Sequence, residues 1–217
     1  MNRAFSLKVS PVIGNVSAEY VVPGKPSCIM TLAHGAGAGM HHVFMVTLAQ
    51  SLAETGIATL RFNFPFTESG KGRPDPPAVA HQTVSAAAAH AHSKFPELPL
   101  FLSGKSFGGR MSSQYLSANP PDFVKGIMFY GFPLHPAGKP SVERADHLRK
   151  IKVPMLFLQG SKDALATWDL IAAVCASLRK ATLVEIEGAD HSFKAGKINT
   201  MEILVRQTES WLKKKLK

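Results

Sequence analysis

The stretch Leu98-Pro-Leu-Phe-Leu-Ser-Gly-Lys-Ser-Phe-Gly-Gly-Arg110 decides how the rest of the chain is read. Residues 98–103 form a short apolar run of the kind that makes a buried strand. Residues 107–118 carry a helical pattern that stops at Asn119-Pro-Pro121. Between them stands Gly104-Lys-Ser106-Phe-Gly108, a G-x-S-x-G sequence in the strand-to-helix context that a nucleophile elbow needs. In such a turn the serine backbone is strained, and side chains two residues before and after it would collide, so both positions call for glycine. The hydroxyl is then held above the strand ends, at a helix N-terminus whose dipole favours developing negative charge.

Outward from this turn, apolar runs alternate with longer helical patterns. Strands are expected over 27–33, 57–62, 98–103, 124–130, 153–158 and 182–187, and helices over 43–55, 79–94, 107–118, 167–179 and 200–217. That alternation predicts an α/β fold, a mostly parallel sheet with helices on both faces. Residues 1–22 read as one or two antiparallel edge strands. Residues 63–77 read as a Pro/Gly-rich loop, and 131–150 as a connection containing Pro133, Pro136 and Pro140. The length of 217 residues suits one domain over 1–217, with no internal repeat.

Three further motifs stand at expected strand ends. His34-Gly-Ala-Gly37 follows the first buried strand. Acyl transfer builds an oxyanion, and backbone N–H groups must be aimed at it; the expected donors are Phe107, next to the serine, and Ala36, with Gly35 as the second choice in that loop. Its glycine spacing matches neither a dinucleotide fingerprint nor a phosphate-binding Walker loop. Gln159-Gly-Ser-Lys-Asp163 places a carboxylate after another strand, and Gly188-Ala-Asp-His191 places a histidine after the last one. The chain order Ser106, Asp163, His191 is the order nucleophile, acid, base. Asp190 is a rival for the acid, but neighbouring side chains diverge, and Asp163 has the better place.

Composition narrows the function classes. Hydrophobic residues make up 45% of the chain, enough for a sizeable core. The net charge is +10, yet the cations are scattered, apart from Lys213, Lys214, Lys215 and Lys217 near the end. No zinc-finger spacing or aromatic-rich basic motif accompanies them, so nucleic acid is not expected as a partner. Cys28 and Cys175 read as small buried hydrophobes in a reducing, cytoplasmic setting. No segment approaches 18 apolar residues, so no membrane span is expected.

At this point the chain resembles the α/β-hydrolases of the dienelactone-hydrolase-like group. It is most similar to the small branch related to the testis-expressed protein 30 and the hydrolase-like region of a chromatin-complex subunit. The resemblance rests on His34-Gly-Ala-Gly37, Arg61-Phe-Asn63, Gly104-Lys-Ser-Phe-Gly-Gly-Arg110, Tyr130-Gly-Phe-Pro-Leu-His-Pro136, Gln159-Gly-Ser-Lys-Asp163 and Asp190-His191. It implies a single-domain α/β-hydrolase fold, with triad roles for Ser106, Asp163 and His191. The chain carries Ser where dienelactone hydrolase itself uses Cys.

The expected chemistry is a serine hydrolase acting on ester-like bonds of small acyl substrates through an acyl-enzyme, with no cofactor and no metal. The connection over 131–150 is long enough for a rim and a minimal lid. Met40, Phe132 and Leu134 are the expected substrate-binding residues, with Phe64, Phe66, Phe107 and Trp168 as further candidates for the wall. His41, His42 and His135 read as rim residues. Arg73 and Arg110 are the cations near enough to attract an anionic substrate, with Arg110 read as helix surface. Two other readings fit the same residues: a thioesterase or peptidase using the same triad, and a hydrolase-fold interaction protein with little activity.

Overall fold

A computed structural model describes residues 2–216. Strands β1 (Asn2–Ser10), β2 (Gly14–Val21), β3 (Cys28–Ala33), β4 (Ile57–Phe62), β5 (Leu100–Lys105), β6 (Val124–Tyr130), β7 (Met155–Gly160) and β8 (Ala181–Ile186) form one sheet. Its order is β1-β2-β4-β3-β5-β6-β7-β8. The β1 and β2 strands are antiparallel, as expected for the edge, and β3 to β8 are parallel. All parallel strands therefore end at one edge, where Ala33, Lys105, Tyr130 and Gly160 stand side by side.

Side chains alternate across each central strand, so the sheet feeds two cores. Ile29, Ala33, Ile127 and Phe129 pack under helices α3 (Pro77–Lys94), α4 (Phe107–Ala118) and α5 (Trp168–Ser177). Cys28, Met30, Leu32, Met128 and Tyr130 pack under α1 (Val43–Glu54) and α6 (Thr200–Lys215). Among the described residues, no helix is long and apolar enough to cross a membrane.

Several element ends differ from expectation by one or two residues, and two short helices are added. The β5 strand runs to Lys105 because Ser103, Gly104 and Lys105 pair with Met128, Phe129 and Tyr130 of β6. One short turn of helix, α2 (Pro65–Glu68), sits inside the 63–77 loop, started by Pro65. The 131–150 connection ends in a 3₁₀ helix, Glu143–Lys150, whose Ala145 and Leu148 are buried against α4. Met1 and Lys217, which the sequence reading put in the edge strand and the closing helix, lie outside the described residues.

Candidate active site

Ser106 follows β5 and caps α4 with φ 50° and ψ −116°, a backbone that a non-glycine residue adopts only under constraint. The neighbouring chain supplies that constraint. A Cβ on Gly104 would lie 2.6 Å from the Gly108 carbonyl carbon, and one on Gly108 would lie 2.6 Å from the His34 carbonyl oxygen. The two glycines let β5, α4 and the loop after β3 converge on the serine.

The three strand-end residues meet there. Ser106 Oγ is 2.8 Å from His191 Nε2, and His191 Nδ1 is 2.7 Å from Asp163 Oδ2. A carboxylate only accepts, so His191 Nδ1–H donates to Asp163, and Nε2 is left to accept the serine hydroxyl proton. Asp163 is buried, and its Oδ2 also accepts from Gln159 Nε2 at 2.6 Å, while Oδ1 accepts from the Leu165 N–H at 2.7 Å. Asp190 closes a local turn instead: its Oδ1 accepts from the Ser192 and Lys194 N–H groups at 2.8 and 2.9 Å. The geometry joins His191 to Asp163 and leaves Asp190 outside.

Two residues that sequence reasoning passed over hold this relay. Gln159 is buried and locks both Asp163 and the Phe132 N–H, the latter at 2.8 Å to its Oε1. Lys105 donates from Nζ to the His191 carbonyl at 2.6 Å and lies 5.1 Å over the Phe193 ring. Burial pushes the Lys105 ammonium down to about 8, against the charges of Asp163 and Asp190, which favour its protonated form. Both left a signal in the sequence, as polar side chains within or ending apolar strand runs.

The loop after β3 presents backbone to the serine. A Cβ on Gly35 would be 3.7 Å from Ser106 Cβ. His34 is buried, with Nε2 accepting the Phe64 N–H at 3.0 Å, so its Nδ1 carries the hydrogen and donates to the Gly35 carbonyl at 2.8 Å. Burial holds the imidazole down at about 4, which keeps it neutral. The pinned carbonyl belongs to the same planar peptide as the Ala36 N–H, so His34 fixes the direction of that donor. The Ala36 N–H has no hydrogen-bond partner among the described residues. The Phe107 N–H opens α4, where no intrahelical acceptor exists. The Phe107 ring is anchored 5.3 Å from Phe64 and 5.8 Å from Phe66.

Two cavities of about 380 Å³ each open beside Ser106, sharing Ala36, Ser106 and Leu165. The first is walled by Gly37, His42, Phe44, Met45, Lys105 and His191. The second is walled by Asp75, Phe107, Arg110, Pro133 and Arg144. Of the expected substrate-binding residues, Met40, Phe132 and Leu134 line neither, and all three are buried in the fold. Met40 is held by its backbone: its N–H donates to Asn63 Oδ1 at 2.8 Å and its carbonyl accepts from Arg61 Nη1 at 2.7 Å. Phe132 packs on Phe129 and Phe157, with ring centres 5.3 and 6.0 Å away. Gly131 has a positive φ of 72°, and Pro133, between the two buried residues, lines the second cavity.

The other rim candidates divide. His42 lines the first cavity and caps α1 through Nδ1, which accepts the Phe44 N–H at 3.2 Å. His135 is buried, its Nε2 accepting the Thr167 N–H at 3.0 Å. His41 and Arg73 are exposed and line neither cavity, and Trp168 lines neither as well. Arg110, read as helix surface, is half-buried and faces the second cavity.

With the elbow, the relay and the two-faced sheet in place, the class of protein follows. Residues 26–210 match the model of the alpha/beta hydrolase domain family, and the chain belongs to that family. Curated proteins of Mycobacterium tuberculosis, named provisionally as a phosphoribosyl transferase, are 25% identical over 200 residues, covering 90% of this chain and 43% of their own length. The chain thus spans less than half the length of these relatives. A serine hydrolase homologue from Coxiella burnetii has the same fold, at 24% identity and TM-score 0.77, covering 94% of this chain and 96% of that one. Dienelactone hydrolase from Anabaena variabilis does so at 20% identity and TM-score 0.77, covering 97% and 96%.

Proposed function

We propose that the protein is a carboxylesterase-like serine hydrolase that cleaves ester-like bonds of small acyl substrates. The observation that carries this reading is the Ser106–His191–Asp163 relay, at 2.8 and 2.7 Å, built on a strained serine at a helix N-terminus. His191 Nε2 takes the Ser106 proton while Oγ attacks the carbonyl carbon. The Ala36 and Phe107 N–H groups receive the oxyanion. The bond to the leaving oxygen then breaks, and His191 returns the proton to that oxygen. Water attacks the acyl-enzyme in turn, giving its proton to His191, and Ser106 leaves the acyl carbon and recovers its hydrogen. No step calls for a metal or cofactor.

Motifs such as Arg61-Phe-Asn63, which clamps Met40 at the end of the loop after β3, support a place in the dienelactone-hydrolase-like group near the testis-expressed protein 30 branch. A cytoplasmic setting agrees with buried, unpaired Cys28 and Cys175, whose thiols burial raises to about 11 and about 12. The rival reading, an interaction protein, draws on one feature. A groove of about 620 Å³ at the opposite sheet edge is lined by Arg149, Lys152, Arg179 and Lys180.

The test is intact mass after treatment with a fluorophosphonate probe, comparing the native chain with Ser106→Ala. The expected result is a gain of one probe that the substitution abolishes. Absence of labelling on folded native protein would sink the hydrolase reading and bring the interaction reading forward.

A further inference from the structure

We infer that the acyl half of the substrate ends in a carboxylate, which Arg110 and Arg144 receive in the cavity on the Phe107 side of Ser106. The inference rests on the serine hydrolase reading and names the substrate class of that same site.

The two halves of an ester lie in different cavities. A departing alcohol oxygen must collect its proton from His191 Nε2, so the leaving half occupies the cavity that His191 lines. The carbonyl oxygen points at the Ala36 and Phe107 N–H groups. The remaining substituent, the acyl chain, is left with the second cavity, lined by Phe107 and Pro133.

That second cavity carries two cations. Arg110 reaches it from the first turn of α4, and Arg144 from the 3₁₀ helix Glu143–Lys150. Neither guanidinium makes a hydrogen bond or ion pair among the described residues, and Arg110 Nε is buried with no partner. Burial first, and then the charge of Arg144, hold Arg110 below its ordinary value. None of the described neighbouring groups is ion-paired with either arginine. His147, bonded to Ser113 Oγ at 2.7 Å, is kept near 4 by burial and by Arg110, and burial likewise lowers His81. The acid in the cavity wall, Asp75, has Lys71 Nζ 3.7 Å from its Oδ1 and a buried Oδ2 with no hydrogen-bond partner, and it forms no ion pair with either arginine among the described residues.

Two guanidinium groups that face one space, neither ion-paired among the described residues, are stabilised by an anion, and their planar forks match a carboxylate. The opposite cavity has no such pair. Its cation, Lys105, is turned onto the His191 carbonyl, and Phe44, Met45 and Leu165 give it an apolar wall. The substrate that fits both halves is a monoester of a dicarboxylic acid with an apolar alcohol.

The experiment compares kcat/KM for 4-nitrophenyl hydrogen adipate and 4-nitrophenyl hexanoate, which differ by a terminal carboxylate in place of a methyl group. At neutral pH and low salt the native chain should favour the adipate by about tenfold or more, and added salt should erode that preference. Arg144→Gln and Arg110→Gln should each reduce the adipate-to-hexanoate ratio by about tenfold. Arg144 is half exposed on a surface turn, so its variant stands if Arg110→Gln fails to fold. Equal or better cleavage of the hexanoate by the native chain, or a ratio indifferent to the foldable substitution, overturns the inference and leaves the hydrolase reading intact. Cleavage of neither ester also overturns it, and absent fluorophosphonate labelling in that case overturns the hydrolase reading as well.

Discussion

Strand β5, which leads into Ser106, has two neighbours in the sheet, β3 and β6, and the chain leaving each of them behaves differently. After β3 the loop is built from Gly35, Ala36, Gly37 and Ala38, and it gives the site backbone. After β6 the connection gives the site Pro133 and Arg144, while it drives Phe132 and Leu134 into the core. Small residues leave no side chain to bury, so their peptide groups remain at the surface of the cavity. Large apolar residues lose more free energy by facing water than by packing, so they leave the site even when they stand next to it in sequence. Nearness to a motif therefore predicts backbone contributions better than side-chain ones.

Each side of this comparison can be broken separately. The largest expected effect is on the β6 side. Phe132→Ala should lower unfolding free energy by about 3–5 kcal/mol, as for other fully buried aromatics, while the folded fraction keeps kcat/KM within about threefold. Urea denaturation alongside ester hydrolysis measures both. A large rise in KM at unchanged stability would return Phe132 to the substrate wall.

On the β3 side, Gly108→Ala forces a methyl group toward the Ala33 and His34 carbonyls and displaces the loop that aims the Ala36 N–H. The expected loss is about 10²–10³ in kcat, the range for removal of one oxyanion donor. Native-like turnover in this variant would show that the loop contributes no oriented donor.

The smallest effect is a pH dependence. Folded His34 titrates near 4, against an ordinary value of 6.5, because burial disfavours its charge. Between those values the unfolded chain binds a proton that the folded chain refuses. Stability is thus fully present above about 6.5 and falls as pH drops toward 4, by roughly 3 kcal/mol from this residue at most. His147, lowered to about 4 as well, adds in the same direction. The urea midpoint followed from neutral to acid should slope down in the native chain and less steeply in His34→Gln. Equal slopes would mean that His34 is not the group resisting protonation.

Much of the fold was legible because its signals are local. Alternating apolar and helical segments located all six parallel strands and five of the helices, with end shifts where cross-strand pairing extended β5 and β7. The site was legible where chemistry coincides with a strand end: Ser106, Asp163 and His191 were each marked by glycine-bearing turns, and the fold brings them within hydrogen-bond distance. Lys105 and Gln159 had visible signals, polar groups in apolar runs, whose partners no sequence distance could name. Arg144 had none, since it lies 38 positions beyond Ser106 on a turn whose packing against α4 alone carries it to the cavity.

Chain order and residue type determined the parallel sheet, the strained serine, and the candidates His191 and Asp163 or Asp190 among nine histidines and fifteen acids. Those are matters of periodicity and of backbone sterics, which act over a few residues. The choice of Asp163 over Asp190, the neutral tautomer of His34, the burial of Met40, Phe132 and Leu134, and the two bare guanidiniums beside Ser106 were decided by packing. Each depends on which distant groups exclude water from a given atom and which donors stand within 3 Å of it, and chain order carries no record of either.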